Sequence, residues 1–298
     1  MRVFVTGATG FIGLAVVGEL IGNGHHVLGL CRSADKAHAL ASAGAEVHSG
    51  STEDLDSLRS AADRCDGVIH LAFNHDFSTF KSNCEHDRHV ILALGSALAG
   101  SSRPLLVTSG TGIARATSGQ HATEDGPTLS AAESPRAASE EAASSAAATG
   151  VNVSVVRLPQ VHDTRRQGLV SYLIAVAREK GLCAYLGDGL NRWPAAHVLD
   201  VARLYRLALE QGQPGARYHA VAEPGIALRE MVGVIAQHLK LPIRSVAQPE
   251  AEAYFGWMSP FAALDMPASS DWTRRELGWQ PTGPGMMEDL QRLDLSGQ

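Results

Sequence analysis

The first thirteen residues constrain the fold more than any other stretch. Val3-Phe4-Val5 is a short apolar run, and Thr6-Gly7-Ala8-Thr9-Gly10-Phe11-Ile12-Gly13 follows it directly. Next comes an amphipathic stretch with Ile12, Ala15, Val16, Leu20 and Ile21 at helical spacing. A second apolar run, His26 to Leu30, follows. A strand feeding a glycine-punctuated turn that opens a helix is the arrangement that cradles a nucleotide pyrophosphate. Gly7 permits the tight turn, Gly10 lets the backbone approach the phosphates, and Gly13 lets helix and strand pack closely. The anion then meets free N–H groups at the helix N-terminus. Thr9, Phe11 and Ile12 stand within the same turn. The spacing is Gly-x-x-Gly-x-x-Gly rather than the commoner Gly-x-Gly-x-x-Gly.

The pattern then repeats. Helices are expected over 33–43, 55–64, 82–98 and 135–149, between strands at 45–49, 67–72, 104–109 and 151–158. Strand–helix alternation of this kind builds a doubly wound α/β unit with a parallel sheet and right-handed crossovers. Its ligand lies beyond the carboxyl ends of the strands. Those ends bring Gly7 to Gly13, Cys31 to Ser33, Gly50 to Thr52, Ala72 to Asp76 and Ser109 to Thr111 to one crevice. From 113 to 135 the chain is polar and turn-rich, which suits a long loop over that crevice. After Pro159 the alternation weakens: 168–180 reads as a helix, 184–193 as loop-like, 197–211 as a helix, and 217–222 as a strand rejoining the sheet. This divides the chain into a nucleotide-binding part, 1–163 and 196–222, and a smaller substrate-side lobe, 164–195 and 223–298.

Composition narrows the partners. With 45% apolar and 19% charged residues, the 298-residue chain can bury a sizeable core. A net charge of −6 argues against a nucleic-acid surface. The apolar runs fall short of the roughly 20 residues that span a bilayer, and the fingerprint starts almost at Met1, so neither membrane insertion nor a signal peptide is expected. Cys31, Cys65, Cys84 and Cys183 have no C-x-x-C spacing and read as free thiols of a cytoplasmic protein. Cys84, His86 and His89 lack a second ligand pair nearby, and no metal is expected.

With these residues in view, the chain resembles the extended branch of the short-chain dehydrogenase/reductase superfamily, that of nucleotide-sugar epimerases and dehydratases. Thr6 to Gly13 looks like that branch's cofactor motif and His70-Leu71-Ala72 like its fourth-strand motif. His197-Val198-Leu199-Asp200-Val201-Ala202 resembles the segment returning from lobe to sheet, and Ser270 to Pro281 the C-terminal signature. The resemblance implies a Rossmann sheet with a C-terminal substrate lobe, binding NAD or NADP, with Leu71, Ala72, Phe73 and Pro159 bordering the cofactor. It also implies a homodimer formed through helices. Cofactor choice follows from the end of the second strand, where NAD-binding chains place an acid for the ribose 2′-hydroxyl. Here Cys31, Arg32 and Ser33 stand there, with Ser51 and Thr52 after the third strand. A guanidinium suits a 2′-phosphate, which favours NADP.

The resemblance implies a catalytic Tyr four residues before a Lys, with a Ser at the end of the fifth strand. None of Tyr172, Tyr185, Tyr205, Tyr218 and Tyr254 has a Lys four residues on. Ser134 to Glu140 places Arg136 at the Tyr position and Glu140 at the Lys position, and the serine position falls on Gly110 or its neighbour. Arg136 cannot donate a proton at neutral pH. It either stabilises a developing oxyanion or a bound anion, or pairs with Glu140 along the helix. Ser109 and Thr111 offer hydroxyls at the strand end, and His162 offers a proton relay. Asn74 is placed to reach substrate, and Arg192 with Trp193 to form a substrate wall. Phe255-Gly256-Trp257-Met258 reads as lobe core or an oligomer contact. The expected activity is NADP-dependent reduction of an aldehyde or ketone. Two alternatives stay open: a non-catalytic NADP sensor, and a nucleotide-sugar epimerase or dehydratase.

Overall fold

The computed structural model describes residues 1–116 and 119–296. The chain opens with β1 (Arg2–Thr6), α1 (Phe11–Gly22), β2 (His26–Cys31), α2 (Ala34–Ser42), β3 (Glu46–Ser49) and α3 (Leu55–Asp63). It continues through β4 (Gly67–His70), α4 (Phe80–Leu98), β5 (Leu105–Gly110), α5 (Ala138–Ala148) and β6 (Val153–Leu158). Then come β7 (Gln160–His162), α6 (Val170–Lys180), β8 (Cys183–Leu186), β9 (Arg192–His197), α7 (Val198–Gln211) and β10 (Arg217–His219). The last part holds β11 (Glu223–Ala227), α8 (Leu228–Leu239) and β12 (Ile243–Val246). Short helices α9 (Ala251–Phe255), α10 (Ser259–Ala262), α11 (Asp271–Leu277) and α12 (Met286–Gln291) complete it.

Seven strands form one parallel sheet in the order β10-β6-β5-β4-β1-β2-β3. The order reverses between β1 and β4, and a crevice opens there beyond the carboxyl ends. Strand side chains alternate between faces. Val3 and Val5 therefore pack with Val16, Val17 and Leu20 of α1 and Tyr205 of α7. Phe4 points the other way, into a core shared with Leu58, Ile91, Leu94 and Ala142. With helices on both faces the strand reads as an unbroken apolar run. A separate core, built on Leu173, Trp193, Met231, Ile235 and Phe255, organises the lobe. Within the segment assigned to the lobe, Leu277 and Trp279 instead join the first core. The Trp279 indole donates to Asp200 O at 2.9 Å, drawing the C-terminal stretch back to α7.

In the lobe and in the 113–135 loop the structure adds to the sequence reading. The stretch 184–193, expected to be loop-like, contributes β8, which pairs in parallel with β12, and the start of β9, which lies between β11 and β7. Pro194 hides β9 in the sequence, because a proline cannot donate in the middle of a sheet. Here it faces a register shift between Glu223 and Ile226. The 113–135 loop is fastened to the C-terminal part of the chain. Ala122 exchanges backbone bonds with Pro267 and Ser269 at 2.9 Å. Buried Glu124 accepts from Thr273 N at 2.9 Å and from its hydroxyl at 2.7 Å. Thr117 and Ser118 of this loop lie outside the described residues.

Candidate active site

The glycine turn is shaped by what a side chain would strike. Gly7 has φ +66°, and a Cβ there would come 2.7 Å from Ala72 N. At Gly13 a Cβ would fall 2.0 Å from Gly7 O, so helix and loop close together only over glycine. Gly10 caps α1 with extended backbone and is exposed, and the first turn of the helix carries no acid. Its N–H groups thus face the crevice uncovered, with Thr9, Phe11 and Ile12 half-buried around them. These residues fit a dinucleotide pyrophosphate.

Beyond β2 lies a cleft of about 490 Å³ lined by Arg32, Ser33, Ala37, Gly50, Ser51 and Asp54, among others. Arg32 is exposed, and the described residues place no carboxylate in an ion pair with it. The Asp54 carboxylate already accepts from Ser57 N at 3.0 Å as the cap of α3. The Cys31 thiol turns back to Ser33 O at 3.1 Å. Thr52 adjoins Ser51 and is half-buried, and Pro159 is buried where β6 ends.

A buried polar chain joins the glycine turn to Arg136. Thr6 Oγ1 accepts from Leu71 N at 3.1 Å and Ala72 N at 3.2 Å. Both lone pairs are then used, so the Thr6 hydroxyl donates to His70 Nδ1 at 2.7 Å. The imidazole proton accordingly sits on Nε2 and is donated to Asp87 Oδ1 at 2.9 Å. Asp87 Oδ2 accepts from Arg136 NH1 at 3.1 Å and from the Ser139 hydroxyl. Burial alone would raise the Asp87 pKa, but His70 and Arg136 outweigh it and hold it near about 2.

Arg136 lies in a single 3₁₀ turn, Pro135–Ala137, leading into α5. Its NH1 also donates to Ser139 Oγ, and its NH2 donates to Thr108 O at 2.8 Å at the end of β5. The guanidinium rests 4.3 Å over the Phe73 ring. These bonds leave the Nε hydrogen and one NH2 hydrogen uncommitted. The intrahelical pair with Glu140 does not form, because Glu140 turns inward to Arg157, which it meets at 2.7 and 2.8 Å. The Glu140 carboxylate is thereby turned away from Arg136.

Other expected site residues lie elsewhere. His162 is fully buried in β7, bound to Asp289 at 2.7 Å, and cannot relay protons to the crevice. Trp193 is no substrate wall: it is fully buried in the lobe core, donating to Leu264 O at 3.0 Å. Arg192 is clamped by Asp265 at 2.9 and 3.1 Å. Thr111 is buried and donates to Leu158 O at 3.3 Å, so its proton is committed. Ser109 is buried at the end of β5, and its hydroxyl has no partner among the described residues. Asn74 is exposed beside Asn83. Asp87 was missed, yet it was legible: an acid on the stripe of α4 that also carries buried Cys84, Ile91 and Leu94.

Comparison with known proteins agrees with this geometry. Residues 3–221 match the model of the NAD dependent epimerase/dehydratase family. An uncharacterized protein of Schizosaccharomyces pombe is 44% identical over 97% of this chain and 98% of its own. Another, of Saccharomyces cerevisiae, is 42% identical over 98% of each. A sterol-4-alpha-carboxylate 3-dehydrogenase, decarboxylating, of Dictyostelium discoideum is 27% identical over 77% of this chain and 74% of its own. Among solved structures, the dTDP-glucose 4,6-dehydratase of Streptomyces venezuelae with NAD bound superposes with a TM-score of 0.79 at 20% identity, covering 98% of this chain and 95% of that one. The UDP-glucose 4-epimerase of Thermus thermophilus, also with NAD, gives 0.75 at 20%, covering 98% and 97%. The chain belongs to the NAD dependent epimerase/dehydratase family, the extended short-chain dehydrogenases/reductases, and is an enzyme of oxidoreductase type on a Rossmann sheet.

Proposed function

We propose that the protein is an NADP(H)-dependent reductase of a small aldehyde or ketone, working without the Tyr–Lys pair. The observation that carries this reading is the fixed cation at the crevice. Arg136 stands at the Tyr position, held by Asp87, Ser139 and Thr108 O, with two hydrogens to spare. The nicotinamide, when bound, supplies the hydride. Arg136 polarises the carbonyl and stabilises negative charge on its oxygen, a role in which position matters more than proton affinity. It keeps its own proton throughout. The proton comes from crevice water, with His75 as relay. Its ring lies 5.2 Å from that of Phe73. The ring keeps an exposed edge, yet partial desolvation by the protein around it and the Arg136 charge lower its pKa, so near pH 7 it is a neutral imidazole able to pass a proton on.

Arg32, in no close ion pair among the described residues though the Glu53 charge lies within its field, supports NADP over NAD together with the Ser33 and Ser51 hydroxyls of the same cleft. The outward faces of α4 and α5, carrying exposed Leu92, Ser144 and Ala148, are where a homodimer would form. Light scattering in solution tests that.

The decisive experiment follows NADPH oxidation across a panel of aldehydes and ketones with wild type and Arg136→Ala. The reading expects turnover of at least one compound. Loss of a single oxyanion donor should lower kcat by about 10²–10³-fold, with NADPH affinity unchanged. Tight NADPH binding with no turnover would favour a nucleotide sensor. Conversion of a sugar nucleotide without net redox, followed by NMR, would favour the epimerase or dehydratase alternative.

A further inference from the structure

A row of aromatic rings leads away from Arg136. The segment joining β4 to α4 carries Phe73, Phe77 and Phe80. Phe73 lies 6.1 Å from Phe80, and Phe80 stacks on Phe77 at 5.4 Å. Phe77 in turn stacks on Trp257 of the lobe, centroids 4.1 Å apart and planes 16° apart. Tyr172 of α6 meets Trp257 edge-on at 5.0 Å, and Phe261 of α10 does so at 6.0 Å. At the other end the Arg136 guanidinium covers Phe73 at 4.3 Å. Rings this well stacked usually belong to a core, yet Trp257 is 44% exposed and Tyr172 36%. Phe73, Phe77, Phe80 and Phe261 are half-buried, so the row presents ring edges and the open Trp257 and Tyr172 beside a candidate site, which suits a ligand face. Of the stretch read as lobe core or an oligomer contact, Phe255 and Met258 are buried in the lobe core, whereas Trp257 lies at its surface.

Arg192, at the border of the lobe, is already paired with Asp265. We infer that the substrate is an aryl or otherwise planar conjugated carbonyl compound, its ring packed on the Phe73–Phe77–Trp257 row and its carbonyl toward Arg136. This rests on the carbonyl-reductase reading and adds the substrate class to it.

The test has two arms on the full-length enzyme. In the first, protein saturated with NADP⁺ is titrated with 2-naphthaldehyde and, separately, with butanal, while indole fluorescence is read; Trp257→Leu is the control. The inference expects saturable quenching by naphthaldehyde only, lost in the variant. In the second, kcat/KM is compared for aryl and straight-chain aldehydes. It expects an aryl preference of about tenfold, set by KM, which Trp257→Leu and Phe77→Leu abolish, the worth of one stacked ring pair. Ile243→Ser, at an exposed position of β12, should leave both substrates unaffected. Turnover of aliphatic aldehydes without aryl preference or quenching overturns the inference alone. Equal losses for both substrates, with a lowered Tm, would mean that the rings only fasten loop to lobe, and would overturn it too. Absence of turnover with every carbonyl overturns the reductase reading itself, whatever the fluorescence shows.

Discussion

Changing Glu140 to Lys would restore half of the catalytic pair that the family resemblance implies, and its surroundings forbid it. Arg157 is fully buried, and Glu140 meets its guanidinium in a two-pronged bond at 2.7 and 2.8 Å. The other contacts of Arg157 are neutral: the Thr128 hydroxyl at 2.8 Å and His219 Nε2 at 3.2 Å. Burial and the adjacent Arg157 charge hold the His219 pKa well below its ordinary 6.5, so its ring is neutral near pH 7. Removing one partner of such a pair leaves a buried charge and costs about 3–5 kcal/mol. That is a large share of the roughly 5–15 kcal/mol available to a folded domain. Glu140→Gln should therefore lower unfolding free energy by about 3 kcal/mol or more. Glu140→Lys, which sets a second cation against Arg157, should yield little folded protein. The double variant Glu140→Gln with Arg157→Met removes both charges and should recover most of the loss. Urea unfolding followed by circular dichroism, with gel filtration of the yield, measures all three. A Glu140→Lys protein with the wild-type midpoint would refute the argument, as would a Glu140→Gln loss below about 1 kcal/mol.

Other outcomes follow from the same geometry. Arg32→Ala should weaken NADPH by roughly ten- to a hundredfold, the worth of one charge-assisted phosphate contact, and leave NADH unchanged by calorimetry. Gly13→Ala drives a Cβ to 2.0 Å from Gly7 O and should abolish binding of both nucleotides, or folding itself. Asp87→Asn frees Arg136 and should lower kcat far more than it raises the NADPH Kd, measured by stopped-flow and titration. Stability should fall in acid in two stages. The lowered His219 pKa means the unfolded chain binds the extra proton, so stability is lost as pH falls below 6.5. The depressed Asp87 pKa contributes stability above 3.8 that is lost as pH falls toward about 2. Urea midpoints at about pH 7.5, 5 and 3 should decline in that order.

Much of the fold was legible because local pattern and global packing agree in the nucleotide-binding part. α1 spans Phe11–Gly22, as its apolar spacing implies, since that stripe must lie on β1 and β2. Alternation implies a parallel sheet, but its strand order, with the reversal between β1 and β4, is set by tertiary packing. The lobe was less legible. β9 carries a proline in a central strand, which only the facing bulge explains, and no local signal announces that bulge. His162 follows β6 in sequence and so looked close to the crevice, but β7 leaves the central sheet to pair with β9, and its ring faces Asp289. Trp193 beside Arg192 reads equally as wall or core, and only tertiary burial decides. Within the site, local sequence suggested Glu140 as a partner for Arg136, whereas the structure pairs it with Asp87, 49 residues earlier on another helix.

The most direct test of the central claim uses NADPH carrying deuterium on its transferable position, a carbonyl compound turned over by the wild type, and mass spectrometry of the product. The account predicts one deuterium on the carbinol carbon, and a product yield that drops by about two orders of magnitude in Arg136→Ala. A product without deuterium, or an Arg136→Ala enzyme as active as wild type, would contradict it.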